Sequence, residues 1–131
     1  MIGGHPGGYP PGVALDVSTA QRDDLIVVRL DGELDIYTVA GFRSELDRLD
    51  PAAARIVIDL TEVTLLDSSG LGALVSLLNQ ARAGTGQLGL VCPHRRLRRV
   101  FEITGLRRAF TFGDDLDQVR DALEADREDS G

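Results

Sequence analysis

The chain has 131 residues, of which 43% are hydrophobic and 27% charged, with a formal net charge of −7. That length suits one ordinary domain, and no apolar run approaches the roughly 18 residues of a membrane span. All 14 cationic residues are arginine, which excludes a phosphate-loop lysine, a Schiff-base lysine and a lysine general base.

The first twelve residues carry five Gly and three Pro and no charged side chain. Ordering such a segment costs much entropy and buries little, so 1–12 reads as a disordered leader. With no basic region and no apolar stretch it does not read as a signal peptide. The expected domain spans 13–125, and 126–131 reads as a frayed acidic end.

Strand-like and helix-like segments alternate from there. Val13–Thr19 and the β-branched run Leu25–Leu30 form a hairpin across Gln21–Asp24. Val39, Phe42, Leu46 and Leu49 share one helical face, and Asp50-Pro51 stops that helix. Arg55–Leu60 is a short apolar run, the pattern of a strand buried on both faces. Leu71, Leu74, Val75, Leu78 and Ala81 define a second helix, from Asp67-Ser68-Ser69-Gly70 to about Gly84. Gln87–Cys92 is a strand. Leu97, Val100 and Phe101 line a helix that Gly105 ends. Ala109–Phe112 is a short strand, and Asp114–Ala125 a last helix with Leu116, Val119 and Leu123 inward. The order β-β-α-β-α-β-α-β-α predicts an α/β fold, a mixed and mainly parallel sheet with an N-terminal β-hairpin.

The charge is unevenly placed. Residues 13–113 hold 13 acids and 12 arginines, whereas 114–131 hold eight acids and two arginines. A nearly neutral body with an acidic end argues against nucleic acid, which needs a basic face. Arg95, Arg96, Arg98 and Arg99 read first as a solvated helix face, with the acidic last helix as a pairing partner. Cys92 is alone, so no intrachain disulfide forms, and with His5 and His94 distant no zinc site is expected.

Two polar stretches stand out. In Leu66-Asp67-Ser68-Ser69-Gly70-Leu71 a strand ends and a helix begins, where open α/β sheets usually meet ligands and partners. Asp and Ser are also the preferred N-cap residues, so on composition alone capping is the leading account. Neither serine lies in a G-x-S-x-G elbow, and no histidine is placed beside them to act as a base, which argues against a hydrolase. The second stretch, Gly32-Glu33-Leu34-Asp35-Ile36-Tyr37-Thr38, reads as a strand end and a turn with Asp35 or Thr38 capping the next helix. Its carboxylates, Glu33 and Asp35, lack a spacing that argues for a metal or for acid-base work.

Gly32–Thr38, Asp59-Leu60, Leu66–Gly72 and Arg99–Leu106 together resemble the STAS domain, and more narrowly the bacterial anti-sigma factor antagonists. The resemblance covers about residues 13–123. It implies a mixed sheet with helices packed on one side and a cytoplasmic binding protein that is neither an enzyme nor cofactor-dependent. The implied partner is an anti-sigma factor with serine kinase activity. The unphosphorylated protein would capture it and free a sigma factor. Phosphorylation of Ser68, with Ser69 as second choice, would end the capture, and a phosphatase would reset it. The implied binding surface comprises Glu33, Asp35, Thr38, Asp67, Ser68, Ser69, Gly70 and Leu71. The family also implies an alternative, a phosphorylation-independent sensor or scaffold in a stress-signalling assembly.

Overall fold

A computed structural model describes residues 14–130; the expected leader 1–12, Val13 and Gly131 lie outside them. The elements run β1 (Leu15–Arg22), β2 (Leu25–Leu34), α1 (Val39–Asp47), β3 (Arg55–Leu66), α2 (Ser68–Ala83), β4 (Gln87–Val91), α3 (Arg95–Ile103), β5 (Thr111–Gly113) and α4 (Leu116–Ser130). They form one sheet in the order β1-β2-β3-β4-β5. β1 and β2 are antiparallel, and every other neighbouring pair is parallel. The element order and sheet type agree with the sequence expectation. No helix among the described residues is long and apolar enough to cross a membrane.

Because the strands are added in chain order, α1, α2 and α3 each connect two adjacent parallel strands. The right-handed preference of such crossovers places all three on one face. There Phe42, Leu46, Leu71, Leu74, Leu97 and Phe101 pack on Val28, Leu30, Ile56, Ile58 and Leu90 to form the main core.

The expectation that all helices lie on one side fails for α4. Its Val119 and Leu123 pack with Leu25, Val57 and Val91 in a second cluster on the opposite face. The alternation of side chains along β3 separates Val57 from Ile56 and Ile58 in this way. A terminal helix closes no crossover, so the handedness rule leaves it free. Gly89 admits it: a Cβ at that strand position would collide with Val119 Cγ1.

Several boundaries also differ. α4 continues through Ser130, beyond the Ala125 expected from the apolar periodicity. β2 and β3 outlast their expected ends at Leu30 to Gly32 and at Leu60, running to Leu34 and Leu66. β4 pairs with β3 only as far as Asp59↔Val91, whereas β2 stays beside β3 to Leu34↔Leu66, with irregularities between Arg29 and Asp31 and between Gly32 and Glu33. Gly32 takes φ +128° there, and a Cβ would run into the Ala14 carbonyl. The extra residue at each irregularity lies on β3, so β2 runs on through Asp31-Gly32 instead of turning there.

Candidate functional site

The extension of β2 and β3 past the rest of the sheet brings the β2–α1 loop beside the start of α2. Leu34 and Leu66 are register partners, and Asp67 N–H donates to the Leu34 carbonyl at 3.3 Å. Asp67 is the N-cap of α2 and adopts extended backbone. Its Oδ1 accepts from Gly70 N–H at 3.0 Å, while Oδ2 accepts from Ile36 N–H at 3.3 Å. One carboxylate thus caps a helix and ties down the neighbouring loop.

Gly70 is needed for this approach. A Cβ there would stand 2.5 Å from the Leu34 carbonyl oxygen and under 3.0 Å from the Leu34 and Leu66 side chains. Gly70 and Leu71 are buried, so they set the packing beneath the surface. Ser68 is exposed at the first position of the 16-residue α2, and no hydrogen bond holds its hydroxyl among the described residues. Ser69 is half-buried.

Asp35 and Thr38, both expected on the binding surface, are 5% and 1% exposed. They build the loop. Asp35 Oδ1 accepts from Tyr37 N–H at 2.9 Å and Thr38 N–H at 3.2 Å. The Thr38 hydroxyl donates to the Glu33 carbonyl at 2.7 Å and accepts from Asp35 N–H at 3.0 Å. Asp35 satisfies N–H groups at the entrance to α1, whereas Thr38, the formal N-cap, makes no side-chain cap bond. The half-buried Glu33 stands beside Leu65 on the β2–β3 ribbon.

The arrangement turns outward two side chains that sequence reasoning passed over. Ile36 is 66% exposed and Tyr37 59% exposed, on the loop that Asp67 secures. Leu65 is 44% exposed on the adjoining strand. The available signal was two large apolar residues between Asp35 and Thr38, outside any periodic apolar pattern. The surface therefore combines an exposed serine hydroxyl, a half-buried carboxylate and an apolar patch. No group of three or more His, Cys, Asp or Glu among the described residues could hold a metal ion.

The arginines of α3 divide. Arg98 donates to the Cys92 carbonyl at 2.7 Å, pairs with Asp114 at 2.9 Å and lies over the Phe112 ring. Arg95, Arg96 and Arg99 are exposed and have no ion pair among the described residues. The expected pairing with the acidic last segment is met by Arg98 alone, through Asp114 just ahead of α4; among the described residues α4's Glu124 pairs instead with Arg55 and Arg127, on the opposite face of the sheet. His94 Nε2 donates to the Thr61 carbonyl at 2.5 Å, so that nitrogen is engaged with β3 and not with Ser68. Burial pushes the Cys92 thiol above its ordinary range, a state of low reactivity.

The model of the STAS domain family matches residues 16–119. The chain belongs to this family. It is similar to the anti-sigma-B factor antagonist of Staphylococcus aureus (strain NCTC 8325 / PS 47), with 34% identity over 94 residues, 71% of this chain and 87% of that relative. The crystal structure of an anti-sigma factor antagonist from Mycobacterium paratuberculosis matches with a TM-score of 0.69 and 27% identity, covering 90% of this chain and 97% of its own. The phosphorylated form of the Bacillus cell fate determinant SpoIIAA matches with a TM-score of 0.61 and 25% identity, covering 84% of this chain and 99% of its own. The STAS fold of this chain thus matches, in its element order and sheet type, the architecture read from the sequence.

Proposed function

We propose that this chain is an anti-sigma factor antagonist of the cytoplasm whose partner binding is switched by phosphorylation of Ser68. The partner is an anti-sigma factor that also acts as a serine kinase, and a phosphatase restores the binding form. The observation that carries the reading is the position of the exposed Ser68 hydroxyl on α2, next to the Asp67 carboxylate that holds the Ile36–Tyr37 loop. Relatives named as anti-sigma factor antagonists, one of them in a phosphorylated form, support it.

The physical account is local. The exposed Ile36, Tyr37 and Leu65 offer apolar area for a partner to cover. Phosphate on Ser68 adds about −1.5 to −2 charges at the border of that patch. Docking then requires a dianion beside Asp67 to be desolvated, which is costly without a cationic match. Helix N–H groups favour the same phosphate, so the switch acts on the interface while the fold persists. Ser69, half-buried at the next position, is less open to a kinase than Ser68.

The test is phosphopeptide mapping of the protein isolated from its own host with and without stress, combined with capture of its partner from that host. Phosphate on Ser68 that changes with stress is expected. Ser68→Ala should retain the anti-sigma factor and accept no phosphate, and Ser68→Asp should bind it at least about tenfold more weakly, roughly 1.4 kcal/mol. Equal retention by Ser68→Asp and wild type would sink the charge switch, and phosphate confined to Ser69 would move the site.

A further inference from the structure

β1 is an edge strand. It pairs with β2 only, and no other described element covers its outer side. The two-residue turn Asp23-Asp24 makes Arg22 and Leu25 the closing pair of the hairpin. In such a turn the closing residues exchange backbone hydrogen bonds, and the bonds then recur at every second residue. Asp16, Ser18, Ala20 and Arg22 therefore direct their backbone groups at β2. Val17, Thr19 and Gln21 direct theirs outward.

This edge lacks several of the devices that usually block pairing. Its eight residues, LDVSTAQR, contain no proline, no lysine and no bulge. Its charges are self-complementary. When two copies of the strand run antiparallel about Thr19, Thr19 faces Thr19, Val17 faces Gln21 and Ser18 faces Ala20. Asp16 of each copy then faces Arg22 of the other. The outward backbone groups of Val17, Thr19 and Gln21 meet in that same register. Asp16 and Arg22 occupy the pairs that lack hydrogen bonds, where facing side chains come closest.

The isolated chain leaves both charges unsatisfied. Asp16 and Arg22 are exposed and have no ion pair among the described residues. Asp16 instead faces Asp31 across the hairpin, a like-charge pairing that costs stability.

We propose that the outer edge of β1 is a self-association surface on which a second copy of this chain pairs antiparallel about Thr19, joining two five-stranded sheets into one. The contact is isologous and closes as a two-fold dimer. It uses none of the residues of the Ser68 surface, so each copy keeps that surface free. Because the Asp16–Arg22 pairs lie at its rim, the dimer weakens as salt rises.

The experiment is sedimentation equilibrium of the full chain and of charge variants. Wild type should show a concentration-dependent monomer–dimer equilibrium. Asp16→Arg and Arg22→Asp should each raise the dimer dissociation constant about tenfold or more, since each replaces two attractions by two repulsions. The double variant Asp16→Arg with Arg22→Asp should recover most of the affinity, which loss of folding cannot imitate. Thr19→Cys should cross-link on mild oxidation, because its Cα atoms face each other at about 5.5 Å. Gln21→Cys should not, as its symmetry mates stand about 14 Å apart at ~3.4 Å per residue. The single native thiol, Cys92, is buried and gives no background. A wild-type chain that stays monomeric at every attainable concentration overturns the proposal, and strand addition by a different protein becomes the reading of this edge. Dimers indifferent to the charge swaps, or cross-linked equally at 19 and 21, overturn it as well.

Discussion

Asp67 joins two roles that the sequence presented as alternatives. It is a helix cap, and it also positions the surface next to the candidate phosphorylation site. Replacing it by alanine removes the bonds from Gly70 N–H and Ile36 N–H together. The expected loss is about 1 kcal/mol for the cap and about 1 kcal/mol for the loop bond. Urea unfolding at unchanged slope measures the sum, and faster amide exchange at Ile36 identifies the loop as the part released. The nearby glycines separate packing from helix propensity. Gly70→Ala should destabilise by about 1–3 kcal/mol, because its Cβ meets the Leu34 carbonyl and two leucine side chains. Gly72→Ala meets nothing within 4 Å on an exposed helical position and should stabilise by about 0.5–1 kcal/mol. Opposite signs two residues apart are the expected result in thermal unfolding of the two variants. Asp35 and Thr38 show why the candidate surface was only half legible: their residue types mark the motif, but their oxygens are spent on the loop's own N–H and carbonyl groups. The exposed Ile36 and Tyr37 carry no periodicity from which a sequence reading could place them.

At the scale of elements, α4 was legible as a helix and illegible in its placement. Leu116, Val119 and Leu123 mark its apolar stripe in the sequence, but a stripe does not say which face of the sheet receives it. Gly89 in the middle of β4 was the sequence's sign of a close approach. Electrostatics then fixes the helix at the end of the sheet remote from Ser68. Arg55, with its side chain 10% exposed, donates from Nε to Gln87 and pairs with both Asp24 in the hairpin turn and Glu124 on α4, at 3.0 Å for Glu124. Gln87 in turn donates to the Leu123 carbonyl at 3.0 Å. Desolvation pushes the Asp24 carboxyl up, but the hydrogen bond and charge of Arg55 together with the charge of Arg127 prevail and hold it below its ordinary value. Asp24 thus releases its proton more readily in the folded chain than in the unfolded one. Its contribution is present above the unfolded value, near pH 4, and is lost as the pH falls through the lower folded value. Asp24→Asn should lower the melting temperature at neutral pH. The gap to wild type should narrow as the pH falls from about 5 through the unfolded value toward the lower folded one, and a gap independent of pH would show that the carboxylate charge is not the cause.

For the whole molecule, the separation of the two ends makes the proposed switch selective. The parallel strands point their carboxyl ends at the Ser68 surface, and the Arg55 network clamps the other end of β3 and β4. A charge added at Ser68 therefore meets the interface first and the core not at all. α2 is 16 residues long and follows an Asp67 cap that already faces its free N–H groups, and Ser68 stands exposed on its first turn. A phosphate there gains from those N–H groups and from the helix dipole, by about 0.3–1 kcal/mol at an exposed site, and loses by repulsion from Asp67. The two effects oppose each other at similar size. Stability of the phosphorylated chain should consequently stay within about 0.5 kcal/mol of the unmodified one, the range of ordinary surface changes. Partner affinity should fall by a far larger factor, because only the complex must desolvate the dianion. Calorimetric melting of phosphorylated and unphosphorylated protein, paired with titration of each against the captured anti-sigma factor, separates the two quantities. A loss of affinity matched by an equal loss of stability would mean that phosphate disrupts α2 itself. Loss of affinity at constant melting temperature places the switch in the interface, where the exposed serine and the Ile36–Tyr37 loop meet.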